Sequence, residues 1–145
     1  MPTFKAVFAE QIEGKPHISI RQIDRASLPP GEVLVQVHYS DLNYKDGLAV
    51  TGRPGVIRKY PMIPGVDLAG VVEESSSPDW KPGDEVVVTG FGLSETAWGG
   101  YAELARVNAD WLVRPSALGP LMPPVHNMLR RFQAKRESNE ALSFR

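Results

Sequence analysis

Turn signals recur along this chain at short, regular intervals. Glu13-Gly14-Lys15-Pro16, Leu28-Pro29-Pro30-Gly31, Thr51-Gly52-Arg53-Pro54-Gly55, Ser75-Ser76-Ser77-Pro78 and Lys81-Pro82-Gly83-Asp84 each combine residues that favour tight turns. The runs between them are too short for long helices, and the 13 Gly and 13 Pro suit short strands joined by turns. Phe4–Glu10 and His17–Ile23 read as a first hairpin. Glu32–Ser40 has the cleanest period of two. Val33, Val35, Val37 and Tyr39 fall on one face and Leu34, Gln36 and His38 on the other, which predicts a half-buried strand. Asp67–Glu74, Asp84–Thr89, Gly100–Val107 and Trp111–Val113 bring the expected number to about seven, the pattern of a closed or nearly closed β structure. Asn43–Val50 is expected to form a short helix, stopped by the Thr51–Gly55 turn.

At 145 residues the chain fits one ordinary domain, and its 42% apolar share is enough for a core. A formal net charge of −1 provides no field to attract nucleic acid or an anionic membrane, so neither is expected as a partner. Cysteine is absent, which excludes disulfides, thiolate zinc sites and cysteine nucleophiles and fits a cytoplasmic protein. No apolar run reaches the roughly 20 residues needed to cross a bilayer. Met1–Lys5 lacks the features of a signal peptide. The character changes at Gly119. From there the chain has five basic and two acidic residues. Val125, Met128, Leu129 and Phe132 are spaced as one stripe of a helix, so residues 119–145 are read as a tail with a short amphipathic helix.

Three segments concentrate residues able to do chemistry: Ser40-Asp41-Leu42-Asn43-Tyr44-Lys45-Asp46, the run from Tyr60 through Pro61, Pro64, Gly65 and Asp67 to Gly70, and Trp98-Gly99-Gly100-Tyr101-Ala102-Glu103. Gly65 and Gly70 suit a place where another backbone or a ligand comes close, while Pro61 and Pro64 read as a rigid turn. Asp67 is equally an acid beside a site or a carboxylate accepting turn amides. Gly99-Gly100 reads as a β-bulge and Glu103 as an ordinary surface residue. Asn43 and Tyr44 can orient a ribose or polarise a carbonyl; the plainer alternative is that Asn43 caps the helix and Tyr44 packs. Arg53, Arg58 and Lys59 suit phosphate groups or simply a solvated loop.

In this order the three segments resemble the N-terminal, GroES-like catalytic domain of the medium-chain dehydrogenase/reductase superfamily, within it the acryloyl-CoA reductase and quinone oxidoreductase-like branch. The resemblance covers about residues 1–118. It implies a mainly β fold, a GroES-like partly open β-barrel with short helices. It also implies NADPH-dependent hydride transfer to an activated C=C bond of an acyl-CoA or quinone-like acceptor. Asn43 and Tyr44 would be the catalytic-side residues; Asn43, Tyr44, Asp46 and Asp67 would meet the cofactor; Arg53 and Arg58 would hold a phosphate-bearing substrate. Zinc-dependent relatives have Cys at the position of Asn43 and His at that of Val66, so no metal is expected here. Family members continue into a Rossmann domain with a Gly-rich phosphate loop, but after Leu118 this sequence offers only Gly119. The expectation is therefore a truncated oxidoreductase, inactive by itself, served by a separate cofactor-domain chain or a homo-oligomer; the alternative is a non-catalytic GroES-like module.

Overall fold

The computed structural model describes residues 2–117 and residue 130. Strands β1 (Thr3–Ile12) and β2 (Lys15–Asp24) pair antiparallel along their whole length, from Thr3 opposite Asp24 to Ile12 opposite Lys15. The turn between them is only Glu13-Gly14, both with positive φ (51° and 74°). That two-residue turn matches the right-handed twist of the strands. It lets the hairpin extend several residues beyond the expected Phe4–Glu10 and His17–Ile23. Pro16 is tolerated in β2 because this strand pairs only with β1, and a proline on an edge strand breaks no ladder.

The second sheet contains β3 (Val33–Tyr39), β4 (Asp67–Ser75), β5 (Glu85–Thr89) and β6 (Leu104–Val107) in the order β5-β4-β3-β6, every pair antiparallel. Its central strand β3 departs from the half-buried expectation. Val33, Leu34 and Val35 are all fully buried. Val33 and Val35 join Leu68, Val72, Val86, Val88 and Val107 in one cluster, while Leu34 packs on the opposite side with Phe4, Ile23, Ile63 and Leu104. The β1–β2 hairpin thus covers the face that alternation had assigned to solvent. Burying each such side chain contributes roughly 1.5–3 kcal/mol, so this hydrophobic partition supplies much of the fold's cohesion.

The hairpin is tied to the rest by backbone contacts. Val7 N–H donates to the Tyr101 carbonyl at 2.8 Å, and Ala9 and Met62 exchange bonds of 2.7 and 2.8 Å. The two sheets remain separate and do not close into a barrel. The expected seventh strand, Trp111–Val113, is a 3-10 turn over Ala109–Trp111 followed by a single bridge from Val113 to Val87. The strand expected from Gly100 begins at Leu104 instead, because Gly99 and Gly100 are engaged elsewhere. The amphipathic stripe Val125–Phe132 lies outside the described residues.

Candidate functional site

Antiparallel pairing brings three chain segments to one end of the larger sheet. β3 ends at Tyr39, opposite Ala69 near the start of β4, and Asp67 is opposite Thr89 at the end of β5. The loop leaving β3 runs into helix α1 (Tyr44–Val50), with Asn43 at its N-cap. Seven residues are too few for a stable isolated helix. Tertiary anchors hold it: Ala49 packs with Ala9, Ile57 and Met62, and Lys45 forms an ion pair with Glu95.

The principal anchor is Asp46. It is fully buried, and its two carboxylate oxygens accept from the backbone N–H groups of Asn43 and Val66, each at 2.9 Å. The first bond completes a capping box; the second fastens the helix to the segment that leads into β4. Asp67, 3% exposed, accepts from Asn43 Nδ2 at 2.6 Å and is also hydrogen-bonded by the Thr89 side chain. Burial pushes the Asp67 carboxyl above its ordinary pKa. The bonds from Thr89 and Asn43 oppose that rise, and the nearby Asp46 and Asp41 add to it. Ser40 Oγ donates to the Asp67 carbonyl at 2.6 Å.

The third segment closes over this assembly. Gly99 N–H donates to the Ile63 carbonyl at 2.6 Å, Gly100 to Gly65 at 3.0 Å and Tyr101 to Pro64 at 3.0 Å. Gly65 has φ 104°, and a Cβ there would lie 2.8 Å from the amide nitrogens of Gly100 and Tyr101. The close approach expected at Gly65 is therefore backbone on backbone, and Gly99-Gly100 is this crossing rather than a bulge. Gly70 has the same reason for being glycine, since a Cβ would run into the Gln36 carbonyl. The Tyr101 hydroxyl donates to the Asp41 carbonyl at 3.0 Å. Its phenol is held well above the usual tyrosine pKa, first by burial and then by the negative charge of Asp46, Asp41 and Asp67. Glu103, expected as an ordinary surface residue, accepts the Lys5 N–H at 2.7 Å and so ties the hairpin to this segment.

The expected site residues separate into two groups. Asn43, half-buried, forms one hydrogen-bonded unit with the buried Asp46 and Asp67. Asp46, expected at a cofactor, presents no exposed atom and works as a fastener. Tyr44 does not pack: it is 84% exposed, next to Leu42 at 70%. Arg58 is exposed and lies 3.9 Å from Glu95, which links it to the first turn of α1. Arg53 is also exposed, and among the described residues no ion pair ties its side chain to this cluster. Ser40, Asp41 and Tyr101 stand in the expected segments but had no individual role assigned to them, and Thr89 lies outside those segments; all four are bonded into this cluster. Tyr101 carries a signal in the sequence, since it stands inside one of the three segments, where the neighbouring glycines drew the reading. Thr89 becomes visible only through strand register. Among the described residues, no three His, Cys, Asp or Glu side chains come together in a way that could hold a metal ion. The arrangement is a rigid floor of buried carboxylates and backbone bonds, presenting an amide, a phenol and an apolar side chain at its rim.

Residues 29–117 match the alcohol dehydrogenase GroES-like domain. The chain belongs to that family. It is 49% identical over 112 residues to acrylyl-CoA reductase AcuI of Ruegeria pomeroyi, a match covering 76% of this chain and 34% of the relative. It is 39% identical over 77 residues to a chloroplastic quinone oxidoreductase, QR1, of Triphysaria versicolor, covering 50% of this chain and 22% of the relative. Among solved structures, the yhdH oxidoreductase of Salmonella enterica in complex with NADP superimposes with a TM-score of 0.75 at 49% identity, covering 79% of this chain and 36% of that one. This GroES-like chain is thus a member of the medium-chain dehydrogenase/reductase superfamily in its acryloyl-CoA reductase and quinone oxidoreductase branch. It spans about a third of the length of the reductase it matches.

Proposed function

We propose that residues 1–118 are the catalytic domain of a zinc-independent, NADPH-dependent oxidoreductase that reduces an activated C=C bond in an acyl-CoA ester or a quinone-like acceptor. The supporting observation is the pinned loop 40–46. Two buried carboxylates, Asp46 and Asp67, are spent on fixing Asn43 and the start of α1, while Leu42 and Tyr44 are left outward. Burying carboxylates is costly, and a plain surface turn has no need of it. A site that must orient reactants does. Relatives named for acrylyl-CoA and quinone chemistry, and a neighbour in complex with NADP, favour the same reading.

The rim fits the reacting end of a nicotinamide cofactor: Leu42 offers an apolar contact, and Asn43 and Tyr44 offer an amide and a phenol. When bound, NADPH supplies the hydride. In this reading Tyr44 orients the acceptor, Asn43 holds a polar edge of cofactor or substrate, and Leu42 keeps water from the reacting atoms. Arg53 and Arg58 meet the phosphates of a coenzyme A ester. Among the described residues the pyrophosphate finds no cradle of backbone N–H groups. The one helix start in this region stands beside Asp41, Asp46 and Asp67, whose charge opposes phosphate, and no Gly-rich strand-to-helix turn occurs among the described residues. The 145-residue chain alone is therefore proposed to be inactive. It would act with a cofactor-binding domain, adjoining or on a separate chain.

NADPH consumption with acryloyl-CoA and with a quinone tests this, for the chain alone and for the chain fused to the cofactor-binding part of the Ruegeria reductase. No turnover alone and steady turnover in the fusion are expected. A fusion that binds NADPH and reduces neither acceptor would sink the proposal in favour of a non-catalytic module.

A further inference from the structure

We propose that Asp67 is a positioning residue: its buried carboxylate selects one of the two orientations of the Asn43 side-chain amide. The inference rests on the reading of Asn43 as a site residue. An ionised carboxylate only accepts hydrogen bonds, so the atom that Asn43 turns towards it has to be its NH2 group. The Nδ2 to Oδ2 distance of 2.6 Å is that of a short, charge-assisted bond. Turning the amide over would set its carbonyl oxygen against that carboxylate, two acceptors facing each other with no proton between them. With Nδ2 turned to Asp67, the Asn43 carbonyl oxygen is the atom left to accept from the Asp46 N–H in the capping box at the start of α1.

Asp67 is itself held. Its carbonyl accepts from Ser40 Oγ, its carboxylate is bonded by the Thr89 side chain on the neighbouring strand, and its backbone pairs with Thr89. The carboxylate therefore cannot follow Asn43 if the amide rotates. Proton uptake by Asp67 removes its part in the selection, because a carboxylic acid can donate as well as accept and tolerates either amide orientation, leaving only the Asp46 N–H of the capping box to favour one of them. The titratable groups facing Asp67 are Asp41 from the loop after β3, Asp46 from α1 and Tyr101 from the segment that closes over the site. Burial raises its pKa most, the bonds from Thr89 and Asn43 oppose that rise, and the charges of Asp46 and Asp41 add to it. Loss of selection is thereby brought nearer to neutral pH than for an exposed aspartate.

Side-chain amide NMR of the 145-residue chain, without cofactor, tests this. The Asn43 NH2 group is expected to give two well-separated proton signals with slowed solvent exchange. Those signals should move with pH along the same curve as the Asp67 carboxyl carbon. Asp67→Asn should abolish the pH dependence, and Thr89→Val should shift its midpoint while keeping it. Asn43 signals that show no pH dependence in step with Asp67 in the wild-type chain would overturn the proposal, whether or not either variant folds. If the coupling is present but Asn43→Ala leaves turnover of the cofactor-domain fusion unchanged, the positioning by Asp67 stands and the catalytic reading of Asn43 fails.

Discussion

Gly99 crosses the backbone of Gly65 so closely that a methyl group on Gly99 would run into the Gly65 carbonyl oxygen. Neither segment can retreat, because Gly99, Gly100 and Tyr101 all donate to carbonyls between Ile63 and Gly65. Gly99→Ala is expected to cost about 1–3 kcal/mol, the usual penalty for forced overpacking. Gly47 is the internal control. It lies inside α1 without a positive φ, and a Cβ added there would meet nothing within 4 Å. Gly47→Ala should stabilise by roughly 0.4–1 kcal/mol, by lowering the entropy of the unfolded chain. Urea unfolding of the two variants checks both signs at once.

Asp46 gives a second test of the floor. Its two oxygens satisfy two backbone N–H groups, and a buried donor left without a partner costs about 1–3 kcal/mol. Asp46→Ala orphans both and is expected to destabilise by several times the effect of an ordinary surface change. Asp46→Asn keeps one acceptor and should fall between. Amide hydrogen exchange should accelerate first at Asn43 and Val66. Equal acceleration across the whole chain would show that Asp46 is not a local fastener.

Much of this was legible in the sequence, and the limits are physical. Turn chemistry located the β1–β2 hairpin, and the three segments stood out as a set. Alternation misassigned Leu34 because whether a second layer covers a strand is a tertiary fact that period alone does not carry. The pairings within the site were equally hidden. Asn43 meets Asp67 across 24 residues and Tyr101 meets Asp41 across 60, distances bridged only by register and loop crossing. Asp46 was expected to meet the cofactor, and its part as a fastener was hidden for a simpler reason: a carboxylate in the first turn of a helix is favourable wherever it points.

The raised pKa of Asp67 fixes the sign of a pH effect. The folded chain keeps a proton there that the unfolded chain, titrating near the ordinary value of about 3.9, has already released. The stability this contributes is fully present below the unfolded value and is lost as pH rises through the higher native one. Wild type should therefore lose stability relative to Asp67→Asn as pH increases across that window. A difference that stays constant, or that grows in favour of wild type with rising pH, contradicts the assignment. Tyr101 sets the alkaline side. Its phenol is raised, so the folded state resists deprotonation, and stability relative to Tyr101→Phe should fall once pH passes about 10, where unfolded tyrosine ionises.

Metal content bears on the zinc-independent reading. At the two positions where zinc-dependent relatives have Cys and His, Asn43 donates its amide to Asp67 and Val66 offers only backbone groups, its N–H to Asp46 and its carbonyl to Gly90. Neither supplies the sulfur or nitrogen donors that zinc favours. Elemental analysis of dialysed protein is expected to find no stoichiometric zinc; one equivalent per chain would overturn that part of the proposal.

Tyr44 separates function from stability most sharply. At 84% exposed it contributes little to the core, and surface substitutions of this kind usually change stability by within about 0.5 kcal/mol. Tyr44→Ala should unfold at nearly the same urea concentration as wild type. Joined to a cofactor domain, the same variant should lose turnover by roughly tenfold or more, equivalent to about 1.4 kcal/mol of transition-state stabilisation. Tyr44→Phe distinguishes the phenol hydroxyl from the ring. If the hydroxyl polarises the acceptor carbonyl, Phe should behave like Ala in kcat; if the ring only orients, Phe should behave like wild type. Turnover unchanged in both variants would remove Tyr44 from the site and leave the exposed rim formed with Leu42 as a surface for docking alone.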